Sequence, residues 1–218
     1  MPDANAPLAE PADSAPATSG RKRPKPGERR VQILQTLASM LEQPGGERIT
    51  TAALAARLEV SEAALYRHFA SKAQMFEGLI DFIEESVFSL INQIVEREPV
   101  SGAGHGERQA ARIATMLVQF AEKNPGMARV MVGDALVLEN ERLQQRMNQL
   151  FDKVEAALKQ CLRDSAVAQA SATPTVDAQV RATTLTAFVA GRLQRFARSG
   201  FKRLPSEHLE PALQVILG

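Results

Sequence analysis

Thr50, Thr51, Ser61, Tyr66, Arg67, His68 and Lys72 fall within one short stretch, and each carries a hydrogen-bond donor suited to a phosphate oxygen or a base edge. None has the neighbours that would make it a catalyst. The three histidines, His68, His105 and His208, lack a Ser, Cys or paired carboxylate at a telling spacing. Cys161 is the single cysteine, which leaves no intramolecular disulfide and no thiol cluster for a metal. Gly102-Ala103-Gly104-His105-Gly106 could pass for a phosphate loop, but no strand pattern precedes it, and a flexible connector fits better. The chain is therefore expected to be no enzyme, to hold no cofactor and no metal, and to work by recognition.

The elements around these residues can position them. From Glu28 to Glu42 the apolar residues Ile33, Leu34, Leu37, Met40 and Leu41 recur at helical spacing, and Pro44-Gly45-Gly46 ends the pattern. Ile49, Thr50 and Leu54 form a hydrophobic staple around a Thr N-cap and predict a short helix through Leu58. Val60, Ser61 and Leu65 repeat the device and predict a third helix from Glu62 to His68, so close behind the second that the pair must cross as a helix-turn-helix. Ser71-Lys72-Ala73-Gln74 is a capping box that opens a long fourth helix to about Arg97. Glu59 stands in the turn where a glycine would take a left-handed conformation cheaply, a strain of about 1–2 kcal/mol for any other residue.

On the third helix Leu65 and Phe69 face inward, leaving Ala63, Ala64, Tyr66 and Arg67 on the outer arc. An Ala methyl packs on a thymine methyl and an Arg bonds guanine bidentately, so Ala63, Ala64 and Arg67 are the candidate base readers. Thr50, Thr51, Ser61, Tyr66, His68 and Lys72 are the candidate backbone contacts, with Thr50, Thr51 and Lys72 at two helix N-termini that offer unpaired N–H groups to phosphate. His68 can also be read as a packed histidine at a helix end and Lys72 as a solvated charge. Ile49-Thr50-Thr51 followed by Tyr66-Arg67-His68-Phe69 and Ser71-Lys72 resembles the N-terminal domain of the TetR family across roughly residues 28–80. That resemblance implies a helix-turn-helix whose short recognition helix lies in the major groove.

The charge distribution agrees. Residues 1–20 carry three acids and no base, residues 21–80 carry ten Lys and Arg against six acids, and the remainder is balanced, so the net +1 hides a basic segment around the motif. Residues 1–27 have almost no large apolar side chain and read as a disordered tail ending in the basic arm Arg21 to Gly27, with a merely solubilising role as the alternative. With 44% hydrophobic residues the chain can bury a sizeable core. It has no apolar run of membrane-spanning length and no leader-like start, and with one cysteine it is expected in a reducing cytoplasm.

Beyond Arg97 further helices are expected near residues 107–123, 125–137, 140–164, 176–199 and 206–217, and no segment alternates as a strand would. The predicted fold class is all-α and TetR-type, with a helix-turn-helix domain over 28–72 and a helical bundle over 73–218 for dimerisation and partner binding. A short recognition helix reads few base pairs, which symmetric half-sites and a homodimer correct. The broad apolar stripe of Leu185, Phe188, Val189, Leu193 and Phe196 is the candidate dimer interface, with core packing as its alternative.

Phe82-Ile83-Glu84-Glu85-Ser86, Glu122-Lys123-Asn124-Pro125-Gly126, Asn148-Gln149-Leu150-Phe151 and Arg195-Phe196-Ala197-Arg198-Ser199 extend the resemblance to the nucleoid occlusion branch of that family. This implies a dimer that binds palindromic double-stranded DNA sites on the chromosome and, when bound, engages the division protein FtsZ. The region of Phe82, Lys123 and Asn124 is the candidate FtsZ surface. The competing reading is a repressor released by a small molecule, with Met116, Phe120, Met127, Met131, Met147 and Phe151 lining a pocket, although Met and Phe at helical spacing more often form core.

Overall fold

A computed structural model of the chain describes residues 27–43, 48–97 and 104–218. The expected tail and arm through residue 26, the 44–46 break and most of the 99–106 connector lie outside the described residues. Among those described there are nine α-helices and no strand: α1 (Glu28–Leu41), α2 (Thr51–Arg57), α3 (Glu62–Tyr66), α4 (Lys72–Arg97), α5 (His105–Lys123), α6 (Pro125–Met131), α7 (Glu141–Ala168), α8 (Pro174–Arg198) and α9 (Leu209–Leu217).

The starts follow their capping chemistry. Thr50 Oγ1 accepts from Ala53 N at 3.1 Å, Ser61 Oγ from Ala64 N at 3.3 Å and Ser71 Oγ from Gln74 N at 3.2 Å. Gln74 closes its box one residue early, Oε1 accepting from Ala70 N at 2.8 Å. Glu59 does occupy the left-handed region, with φ at 54°.

The later ends were harder to read. The helix expected over 125–137 stops at Met131 because Gly133 turns left-handed, and Asp134–Leu136 resumes as a single 3-10 turn. Helix α7 runs past residue 164 to Ala168, where alanine-rich sequence carries no stop signal, and Ala170, two residues beyond, takes a left-handed turn at φ 55°. The last helix starts three residues late, since Arg192 Nη1 binds the carbonyls of Pro205 and Glu207 at 2.8 and 2.6 Å and holds that segment as a turn.

One continuous core joins α1, α4 and α6 to the α5, α7 and α8 layer. The crossing of α1 and α6 is tight. A Cβ placed on Gly126 would lie 1.9 Å from the carbonyl oxygen of Ala38, so only glycine permits this approach. Arg129, one turn on, donates to the carbonyls of Leu41 and Gln43 at 2.7 and 2.8 Å, while its guanidinium lies 4.8 Å from the centre of the Phe201 ring. The C-terminal end of α1, which carries the helix-turn-helix, is thereby tied to the rest of the molecule.

The acidic edge of α4 faces the basic edge of α7. Glu77 pairs with Arg142 at 3.1 Å, Asp81 with Arg146 at 2.7 Å, and Glu84 with Arg146 at 3.0 Å and with Lys153. The bond from Lys153, with Arg146 assisting against partial burial, holds the Glu84 carboxyl below its ordinary value of 4.5. Because the folded value is the lower one, the stability Glu84 adds is present above pH 4.5 and is lost as pH falls through its depressed value. Glu84→Gln should therefore cost about 0.5–1 kcal/mol at neutral pH, as partly exposed pairs do. The gap in thermal midpoint from the wild type should close on acidification; a gap that widens would show that the carboxylate is not the stabilising form.

The stripe assigned to dimerisation belongs mostly to the interior of one protomer. Leu185, Val189, Leu193 and Phe196 are at most 2% exposed, packed in the core that α8 shares with α7 and α5. Only Phe188 of the five remains half-buried. The correction has a simple cause: a helix in a layered bundle needs its broadest apolar face for its own core, and the sequence alone does not say which neighbour takes it. The opposite face of α8, with Val176 and Val180 each 59% exposed and Thr184 and Ala187 following at helical spacing, is the apolar and small-residue surface left open.

Candidate nucleic-acid interface

Helices α2 and α3 cross on a floor of Leu54, Leu58, Leu65 and Phe69, all buried. This puts Ala63, Tyr66, Arg67 and His68 outward on one surface, with Ala64 half-buried beside them. Thr50 and Ser61 spend an oxygen lone pair on their caps and keep the hydroxyl proton for another acceptor. Thr51 differs: its Oγ1 donates to Glu62 Oε2 at 2.6 Å and accepts from the Tyr66 hydroxyl at 3.5 Å, joining α2 to α3 across the outer face.

Two positioning groups went unseen in the sequence. Arg30 reads there as part of the basic run, yet its Nη1 donates to the His68 carbonyl at 2.7 Å and its guanidinium stacks 4.0 Å above the centre of the Phe69 ring. It fixes the C-terminal end of α3 against α1. The contact spans 38 residues, so no local pattern could reveal it. Glu139 is the second: it takes the ammonium of Lys72, which also lies 5.7 Å from the centre of the Phe76 ring. The Lys72 charge is thus engaged, in the free protein, by an acid from the segment preceding α7.

The three residues of the candidate partner surface lie on α4 and at the end of α5. Phe82 is 47% exposed, Lys123 is exposed, and Asn124 is half-buried with Nδ2 donating to the Phe120 carbonyl at 2.8 Å. Helices α4 and α5 run antiparallel, with Gln109 Nε2 reaching the Val95 carbonyl at 3.3 Å. A groove of about 430 Å³ between them is lined by Leu90, Ile94 and Arg97 on one side and Arg112, Met116 and Gln119 on the other. This register carries Phe82 toward the Asn124 end of α5. Leu90, the apolar break in the polar edge of α4, turns into the groove and is half-buried.

Of the residues proposed to line a ligand pocket, Met127, Met131 and Met147 are buried in the core, and Phe120 and Phe151 pack on it. A trough of about 730 Å³ lies elsewhere, between α5 and α9. Burial pushes the Cys161 thiol up to about 11, opposite to what a nucleophile needs. Among the described residues no helix is long and apolar enough to cross a membrane.

Residues 33–79 match the family model for bacterial regulatory proteins of the tetR family, and residues 108–217 match the SlmA-like model for a tetracyclin repressor-like C-terminal domain. The chain is 48% identical over 188 residues to the nucleoid occlusion factor SlmA of Idiomarina loihiensis, spanning 86% of this chain and 93% of that one. It is 50% identical over 188 residues to SlmA of Shewanella loihica, spanning 86% and 92%. Among solved structures it resembles the transcriptional regulator FadR of Bacillus subtilis in complex with stearoyl-CoA, with a TM-score of 0.68 at 13% identity over 86% of this chain and 97% of that one. FadR of Bacillus halodurans follows at a TM-score of 0.66 and 16% identity, over 88% and 96%. At such identities these structures speak to the fold alone.

Proposed function

From the premise that the chain belongs to the TetR family, and within it to the SlmA nucleoid occlusion factors, we propose that it binds palindromic chromosomal sites as a homodimer and, once bound, engages FtsZ to oppose ring assembly over the nucleoid. The observation that carries this reading is the match beyond the helix-turn-helix: residues 108–217 follow the SlmA-like C-terminal model, in the half of the chain where a ligand-released repressor would build its pocket. The core position of Met127, Met131 and Met147 favours the same choice. Acting over the nucleoid places the protein in the cytoplasm.

In this account residues 28–72 read DNA, and residues 73–218 dimerise and meet the partner. Ala63, Ala64 and Arg67 read bases from the outer arc of α3, and Thr50, Thr51, Ser61, Tyr66, His68 and Lys72 hold the backbone. The dimer forms through the open face of α8, where Val176, Val180, Thr184 and Ala187 offer a surface that a second copy can cover. FtsZ meets the edge of α4 at Phe82 and the α5 end at Lys123 and Asn124.

The DNA assignment is tested at Arg67. Arg67→Ala should weaken binding to the cognate palindrome by about 1–3 kcal/mol, with the loss confined to the base pair it reads. The measurement is fluorescence anisotropy on a set of singly substituted duplexes. An equal loss on scrambled DNA would make Arg67 a phosphate contact instead.

A further inference from the structure

Glu62 is an acid on the helix that must approach a polyanion. It is the first residue of α3, exposed, and one helical turn before Tyr66, so both side chains lie on the same face. Its carboxylate accepts a hydrogen bond from the Thr51 hydroxyl at 2.6 Å, and Thr51 in turn accepts from Tyr66 at 3.5 Å. A hydroxyl has a single proton to donate. In this arrangement the Thr51 proton is committed to Glu62, while the exposed Tyr66 hydroxyl joins the same chain of bonds only at the long limit of hydrogen-bond distance.

We propose that Glu62 is a specificity-determining residue that works against the wrong DNA: it latches Thr51 and Tyr66 in the free protein and releases them when its carboxylate receives a cytosine amino group in the major groove. This rests on the DNA-binding reading of α3 given above. The exchange is balanced. On docking, Thr51 and Tyr66 turn their protons to phosphate oxygens, and the carboxylate loses its donor. In the major groove the cytosine N4 amino group is the donor that a glutamate accepts. Where it is present, every group is again paired. Where it is absent, a desolvated carboxylate is left unpaired close to phosphates, and docking either stalls or proceeds without the Thr51 and Tyr66 contacts.

Two cations of this domain have partners of their own and do not pair with Glu62. Arg30 is committed to the His68 carbonyl and the Phe69 ring, and Lys72 to Glu139. Glu62 thus gives the recognition surface a repulsive element beside its attractive ones, and specificity is the difference between the two.

Binding of the full-length protein is measured by fluorescence anisotropy to a palindromic duplex obtained by in vitro selection and to a scrambled duplex of equal length and composition. Glu62→Gln should raise affinity for the scrambled duplex several-fold and lower the cognate-to-scrambled ratio by about tenfold, the loss of discrimination mapping to one symmetric pair of G·C positions. Thr51→Val removes the latch but keeps the charge. It should leave scrambled-duplex affinity low, which separates the effect of the acid from that of the hydroxyl. An unchanged ratio in Glu62→Gln, at a thermal midpoint equal to wild type, would overturn the proposal, as would relaxed discrimination spread over all positions. If the wild type itself failed to distinguish the two duplexes, the DNA-reading assignment of α3 would be at fault and the role of Glu62 would fall with it.

Discussion

Gly126→Ala should lower the thermal midpoint by roughly 6–12 °C, corresponding to a loss of about 3 kcal/mol at this chain length. The added methyl meets a backbone oxygen, Ala38 O at 1.9 Å, with the Ala38 carbonyl carbon at 2.9 Å and Glu42 Cγ at 3.2 Å. A side chain could swing away, but a backbone carbonyl in the last turn of α1 cannot move without shifting the end of that helix. Relief requires α1 and α6 to separate, which would draw Arg129 from the carbonyls of Leu41 and Gln43. Differential scanning calorimetry reads the midpoint, and the same sample in a DNA-binding assay should show weakened affinity, because α1 supports α3. A midpoint within 1–2 °C of wild type would mean that the two helices are not held at this distance, since overpacking a fixed crossing costs more.

Phe69→Ala should be larger still, at about 3–5 kcal/mol, the usual cost of emptying a buried aromatic site. Phe69 is 1% exposed, supports the Arg30 guanidinium at 4.0 Å, and places Cε1 only 3.1 Å from where a side chain at Gly78 would begin. Its loss unseats the link from α1 to the end of α3 and opens a cavity between α3 and α4. Chemical denaturation should show the stability loss. Cognate DNA affinity, measured at a temperature where circular dichroism shows the helices intact, should fall with it. Phe69→Leu, which keeps most of the apolar volume, should recover the larger share of both. Full cognate affinity in Phe69→Ala would show that α3 is positioned without that ring.

Much of this architecture was legible because its signals are local. Thr50, Ser61 and Ser71 each cap the helix that their spacing announced, and Glu59 takes the left-handed turn that its position required. The outer arc of α3 follows from Leu65 and Phe69 pointing inward. Contacts between distant segments were not legible. Nothing near Arg30 marks it as a strut rather than part of an arm, and nothing near Lys72 announces Glu139, 67 residues away. The dimer stripe failed for a related reason: periodicity shows that α8 has an apolar face but not whether a layer of the same chain or a second chain covers it. Nor does the sequence mark Glu62: an acid on a DNA-facing helix reads as a solvated charge, and only the bond from Thr51 distinguishes it.

A DNA-bound dimer of this protein is proposed to restrain FtsZ. The most direct test follows FtsZ polymerisation by light scattering, with the protein plus a palindromic duplex at verified occupancy and with each component alone. Inhibition should require the protein and be enhanced by the cognate duplex. Undiminished polymerisation at full DNA occupancy would contradict it and would return the ligand-released repressor as the better reading of the same fold.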